Sequence, residues 1–329
     1  MPKTKTILAL TTLLAFCVIV FGAYVRLTDA GLGCPDWPGC YGFIVVPDSV
    51  EELSVIKESF PNQVIESGKA WREMLHRYIA SLLGLLILTL FASEFFKKNK
   101  AAFSDNFPLK ISLLLLLLVV FQGLLGMWTV TLKVHPLVVL AHLVGGLSTL
   151  SLLFIYLKKI SSPEKLTATF TGLLFFGLTL LIAQIMLGGW TSTNYAALGC
   201  PDLPLCYGQL WPSNMDIKEG FLMWQSFGKN YEGGLLSPPG RTAIHFFHRL
   251  GAVAVTLGLG VIIFKYLKST STRVKNAALV LAVALLFQLV IGIVMVWSGI
   301  ALSLATAHNA FAALLLLSFL NLVYTIKHR

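Results

Sequence analysis

Four histidines carry the chemistry most plainly written in this sequence: His76, His142, His248 and His308. Each falls a few residues inside an apolar run, where an ionisable side chain is costly and normally has a task. Imidazoles facing each other from neighbouring helices are a standard axial ligand pair for a haem iron, and four of them match two irons. A proton relay or a metal-transport path would call on the same residue type. Glu73 stands three residues before His76, on the same helix face, whereas the position three before His248 is His245. A carboxyl in one half only fits a proton-handling or cation-stabilising group beside one of the irons. The plainer alternative is an ion pair with Arg72 or Arg77.

Other residues group around these. Arg77 and Arg249 directly follow two of the histidines, where a guanidinium suits either a haem propionate or a snorkelling anchor at the interface. Four of the five cysteines form two C-x5-C pairs, Cys34 with Cys40 and Cys200 with Cys206. In an oxidising compartment each pair closes a small ring, as a structural staple or a thiol relay. The spacing differs from the C-x2-C of zinc ribbons. Cys17, alone in an apolar run, reads as packing. Gly145 and Gly146 follow His142 by about one turn and would let a flat macrocycle approach that helix. Gln122 and Gln288 read as interhelical hydrogen-bonding groups in mid-membrane, and His135 and His328 as solvated loop residues.

The elements that position these residues follow from composition. With 56% hydrophobic and 12% charged residues and a mean hydropathy of +0.79, the solvent is lipid. Apolar runs long enough to span about 30 Å of hydrocarbon cover 7–25, 74–96, 110–130, 137–157, 169–190, 243–264, 277–297 and 304–325. The first is expected as a retained helix, because no small-residue cleavage site follows it. A net charge of +10 would suit nucleic acid, but its distribution argues against such a partner. The side holding both termini collects 15 basic and 3 acidic residues, leaving 10 and 12 for the other side. Both termini are therefore expected in the cytoplasm of a cell-membrane protein, with the loops at 26–70 and 191–240 and the histidine ends of the helices toward the outer face.

Sliding the sequence on itself by 166 residues places LGCPDWPGCYG at 32–42 on LGCPDLPLCYG at 198–208. The same offset places Gly22 on Gly188, Gly126 on Gly292 and His142 on His308. His76-Arg77 meets His248-Arg249 at an offset of 172, as a difference in outer-loop length requires. This is an internal duplication. The expected fold is an all-α integral membrane protein, eight transmembrane helices in two tandem four-helix bundles, residues 1–160 and 161–329. With four spans per unit, the halves are related by a pseudo-twofold axis along the membrane normal.

The motifs GAYVRLTDAGLGCPDWPGC, EMLHRY, LAHLVGG, IHFFHRLG and ATAHNA, in this order and spacing over essentially the whole chain, resemble the haem A synthase family. That resemblance implies an oxidoreductase that converts a methyl group of haem O to a formyl group. It implies His76 and His142 as ligands of the substrate haem, Glu73 as the catalytic carboxylate, and His248 and His308 as ligands of a haem b cofactor. A membrane farnesyl transferase, haem O synthase, is the implied supplier, with an unnamed electron donor or acceptor. Two rival readings use the same histidines, a di-haem b electron-transfer subunit and a haem carrier.

Overall fold

The computed structural model describes residues 2–60, 65–97, 107–161 and 171–327. Lys98, Lys100, Asp105, Glu164, Lys165, His328 and Arg329, used above for charge or loop assignments, lie outside the described residues, as do the side chains of Lys3 and Lys327.

Ten helices are present among the described residues: α1 Pro2–Leu27, α2 Val50–Ser59, α3 Ser67–Phe95, α4 Phe107–Thr131, α5 Pro136–Ser161, α6 Gly172–Thr193, α7 Ile217–Gly220, α8 Pro238–Leu267, α9 Thr272–Trp297 and α10 Leu302–Lys327. Eight are long and apolar enough to cross a membrane. Lipid cannot satisfy backbone polar groups, so each span must satisfy its own as a helix. Large apolar side chains such as Leu85, Leu117 and Leu257 are exposed on helix surfaces, as a lipid-facing surface requires. Cys17 is also exposed, so it faces out of α1 rather than packing within the fold as expected.

α3 and α8 begin well before the apolar runs at 74–96 and 243–264. The polar opening turns of α8 are held by Ser237, whose hydroxyl accepts from Gly240 N at 3.4 Å, and by a proline at the helix start. The early turns of α3 carry Glu73, and His245 follows the early turns of α8, just inside its apolar run. α2 and α7 lie in the long loops, outside the apolar runs. A reciprocal capping box between Ser49 and Glu52 starts α2, and the backbone N–H of Ser49 holds the Glu52 carboxyl below its ordinary range.

The chain divides into two compact units. One comprises Leu10–Thr149 with Trp224–Gly233. Within it α3 packs on α4, and a buried cluster of Cys34, Cys40, Tyr41, Val46, Ile56, Ala70 and Met74 joins the cysteine loop, α2 and the start of α3. His135 belongs to this unit and corrects the solvated reading. It is 1% exposed, stacked on Phe227 at 4.9 Å and edge-on to Tyr231, with Nε2 at 3.1 Å from Gln225 O. The other unit comprises Met1–Ala9, Leu150–Met223 and Gly234–Arg329. In it α6 packs on α8, α8 on α9, α9 on α10 and α10 on α6, which closes a four-helix bundle.

That bundle's core holds Leu181, Leu259, Ile262, Leu281 and Phe319. Gly177 of α6 faces Ile262 Cδ1 and Phe319, and a Cβ added there would stand 3.2 Å from Phe319 Cε2. Gly177→Ala should therefore destabilise the bundle by about 1–3 kcal/mol through overpacking, read as a lower thermal unfolding midpoint in detergent. Gly260→Ala, whose Cβ would meet nothing within 4 Å, should leave the midpoint unchanged or raise it.

Candidate functional site

Each of the four histidines sits against a glycine of a neighbouring helix. A Cβ added at Gly22 of α1 would stand 2.8 Å from Cε1 of His76, and one at Gly126 of α4 would stand 3.6 Å from Cε1 of His142. In the other unit, Gly188 of α6 faces Cε1 of His248 at 3.1 Å and Gly292 of α9 faces Cε1 of His308 at 3.0 Å. The repeated glycines at 22, 188 and 292 are thus clearances for the imidazoles of His76, His248 and His308, whereas a Cβ at Gly126 would meet His142 at ordinary contact distance. Within each unit the two histidines lie within electrostatic reach of each other, His76 of His142 and His248 of His308.

The ring nitrogens are unevenly satisfied. Nδ1 of His76, His142 and His308 is buried with no hydrogen-bond partner among the described residues. Nδ1 of His248 lies 3.1 Å from Gln184 Nε2, and Gln288 Nε2 lies 3.2 Å from His308 Nε2. Gln288 thus makes the interhelical contact expected of it, with a histidine. Gln122 instead lies against Gly145, its Nε2 buried without a partner, while Ile19 Cγ1 faces Gly146 at 3.6 Å. Side chains therefore fill the space those two glycines clear.

A single clamp is built twice around the cysteine loops. Asp36 accepts from Tyr41 N at 2.6 Å and Gly42 N at 2.7 Å. Asp202 accepts from Tyr207 N and Gly208 N at the same two distances. Tyr41 and Tyr207 have φ near +55°, a left-handed turn that these paired N–H bonds stabilise. The Gly208 N–H holds the Asp202 carboxyl below its ordinary range, and burial raises the Tyr41 phenol. The disulfides Cys34–Cys40 and Cys200–Cys206 close the turns, both with Cα–Cα distances of 4.8 Å. All four cysteines are at most 2% exposed, which keeps their sulfurs from an attacking thiolate.

Arg77 and Arg249 lock these loops to α3 and α8. Arg77 donates to Pro38 O at 3.1 Å, Gly39 O at 2.5 Å and Asp36 O at 3.0 Å. Arg249 donates to Asp202 O at 2.6 Å, Leu205 O at 3.0 Å and Cys200 O at 2.6 Å. The sequence offers both arginines as propionate contacts or interface anchors; here their guanidinium groups hold loop carbonyls.

Glu73 and His245 complete the clamp from equivalent places. Cys34 N donates to Glu73 Oε2 at 2.9 Å, and Arg77 pairs with Oε1 at 2.5 Å. Cys200 N donates to His245 Nδ1 at 3.0 Å, and Arg249 Nε lies 3.3 Å from Nε2. Both side chains are 4% exposed. The ion pair foreseen for Glu73 forms with Arg77, while Arg72 bonds Gly68 O at 2.9 Å. Sequence reasoning did not single out Asp36, Asp202 or Gln184. The two aspartates were visible as repeated residues of the duplicated loop, whereas Gln184 has no counterpart, since Val18 stands 166 residues earlier.

Among the described residues no group of three or more His, Cys, Asp and Glu is placed to hold a metal ion directly. Residues 5–320 match the COX15-CtaA family model, described as cytochrome oxidase assembly protein. The chain is 44% identical over 330 residues to a protein of Shewanella oneidensis named "Heme A synthase", covering 98% of this chain and 96% of the relative. Proteins of the same name from Alkalihalophilus pseudofirmus and Rickettsia bellii are 26% and 27% identical, over 98% and 96% of both chains respectively. The chain therefore belongs to the COX15-CtaA family of cytochrome oxidase assembly proteins.

Proposed function

We propose that this chain is a haem A synthase, which oxidises a methyl group of haem O to the formyl group of haem A. The observation that carries this reading is the divergence inside the duplicated clamp: one half closes with a carboxylate, Glu73, where the other closes with His245. Relatives matching nearly end to end bear that name. The working division is a substrate half at residues 1–160 and a cofactor half at 161–329.

His76 and His142 would hold the substrate haem, and His248 and His308 would hold haem b. Buried Nδ1 atoms of His76, His142 and His308 without a partner among the described residues and glycine clearances beside His76, His248 and His308 suit groups that engage imidazoles without solvent. Haem b, when bound, supplies a one-electron redox centre. With His76 and His142 both given to the iron, the porphyrin edge would be the part of the substrate left for reaction. There Glu73 would stabilise positive charge developing at the methyl carbon, or accept its proton. Arg77 and the Cys34 N–H fix both carboxylate oxygens, so the charge is preorganised rather than free to reorient. The disulfides serve as staples that keep this acceptor geometry.

The charge distribution supports a cell-membrane protein with cytoplasmic termini and its cysteine loops on the outer side. Haem O synthase is the proposed supplier of substrate, and the redox balance is completed either by a separate electron acceptor with water as the source of the formyl oxygen, or by dioxygen with a separate electron donor.

Glu73→His is the sharpest test, because it copies into the first half the arrangement the second half already tolerates. Both haems should remain bound while haem A formation falls by about 10²-fold or more, measured by chromatography of extracted haems. Haem A at the normal rate in that variant would overturn the role of Glu73. Chromatography of the unmodified protein should show haem b together with haem O or its oxidised products; haem b alone would point to an electron relay. His76→Ala should diminish the haem O-derived fraction and His308→Ala the haem b fraction. Loss of the same fraction from both variants would refute the division of the halves.

A further inference from the structure

The second histidine pair carries an asymmetry of its own. His248 is the one of the four whose Nδ1 is held by another side chain. Gln184 of α6 places its amide nitrogen 3.1 Å from that atom and 2.9 Å from the His248 carbonyl oxygen, to which it donates. The amide oxygen of Gln184 is buried and has no hydrogen-bond partner. Gly251 of α8, one turn beyond His248, makes this approach feasible, because a Cβ at that position would overlap Gln184 Oε1. Among the described residues the first half places no side chain on a histidine Nδ1: its comparable glutamine, Gln122, lies against Gly145, three residues beyond His142, without reaching that atom. Val18 occupies the matching position, and the Nδ1 atoms of His76 and His142 have no partner.

An imidazole that binds a metal through Nε2 carries its proton on Nδ1, and an acceptor at that proton raises the basicity of the ligand and fixes the ring. In the present arrangement the amide NH2 faces Nδ1, which corresponds to the tautomer protonated on Nε2. Ligation moves the proton to Nδ1, and the unpartnered Oε1 of the same side chain is the acceptor within reach, by rotation of the amide.

We propose that Gln184 is a positioning residue for the second haem, one that orients His248, strengthens it as an iron ligand and so sets that haem's reduction potential apart from the first. This rests on the reading that His248 and His308 hold a haem. Gln184 touches neither substrate nor reacting atoms; it acts through His248. The clearance at Gly251 belongs to the same device.

The test is potentiometric titration of the full-length protein purified with its haems, following the low-spin ferric signals. The second-site signal is identified as the one lost in His308→Ala. If His308→Ala removes no signal, the haem reading of this half fails, independently of Gln184. With the signal assigned, Gln184→Leu should shift its midpoint upward, because a weaker imidazole donor stabilises the ferric state less. Gln184→Glu, a stronger acceptor, should shift it downward. Gly251→Ala, which displaces Gln184 without altering it, should move the midpoint in the same direction as Gln184→Leu. The first-site midpoint should stay constant throughout. Unchanged second-site midpoints in Gln184→Leu and Gln184→Glu, with haem content retained, would overturn the proposal. So would equal shifts at both sites, or shifts of the same sign in Leu and Glu, which would indicate a general structural disturbance. Should Gln184→Leu fail to retain haem, the opposed signs expected of Gln184→Glu and Gly251→Ala decide the matter alone.

Discussion

The hydrogen bond from the first cysteine of each loop to a side chain on the following helix, Cys34 N to Glu73 and Cys200 N to His245, anchors everything at the histidine end of the bundles. At a membrane boundary a buried N–H without an acceptor is expensive. A loop that must fold back over helix ends therefore needs acceptors supplied by the helices. The duplicated answer is a side chain three residues before a histidine and an arginine directly after it. The acceptor draws the loop onto α3 or α8, the arginine collects the loop's carbonyls, and the histidine between them is left on the helix with its ring against a glycine.

This constraint explains why residues of different type share a position. A carboxylate offers two oxygens and accepts from both donors at once, Cys34 N and Arg77. A neutral imidazole accepts at one nitrogen only. With Cys200 N on Nδ1 of His245, Nε2 carries the proton and faces Arg249 Nε at 3.3 Å as donor to donor. The second clamp offsets this by giving Arg249 three loop carbonyls. Histidine is thus adequate for the structural task, and the carboxylate in the first half is free to be explained by chemistry.

Much of this was legible in the sequence because lipid simplifies the code. Apolar runs revealed eight spans, and the internal duplication revealed the histidines, the cysteine loops and the glycines at 22, 126, 188 and 292. Hydropathy marked where helices could lie in lipid but not where they began, so the polar first turns of α3 and α8 emerged only from the structure. The fate of Arg77 and Arg249 was illegible for a related reason. A guanidinium beside a presumed haem has several anionic or carbonyl partners to choose from, and only the folded loop shows that backbone oxygens surround it. His135 shows the same limit. Its place before Pro136 resembles a solvated turn, yet the stretch that buries it, Gln225 to Tyr231, is about ninety residues away in sequence, and no local pattern announces such a partner.

Repetition makes the differences between halves more informative than the agreements. The shared set, four histidines each beside a glycine and two arginine-held disulfide loops, does not by itself distinguish one half from the other. Two departures break the symmetry in complementary directions. The first half gains a fixed carboxylate at the loop clamp while leaving the Nδ1 atoms of both its histidines unpartnered. The second half gives up the carboxylate and acquires Gln184 beside Nδ1 of His248. A group suited to developing charge at the periphery of a bound molecule and a group suited to tuning the electronics of a metal are different tools. Their separation into different halves is what an ancestral pair of equivalent sites would need in order to become one site for reaction and one for electron transfer.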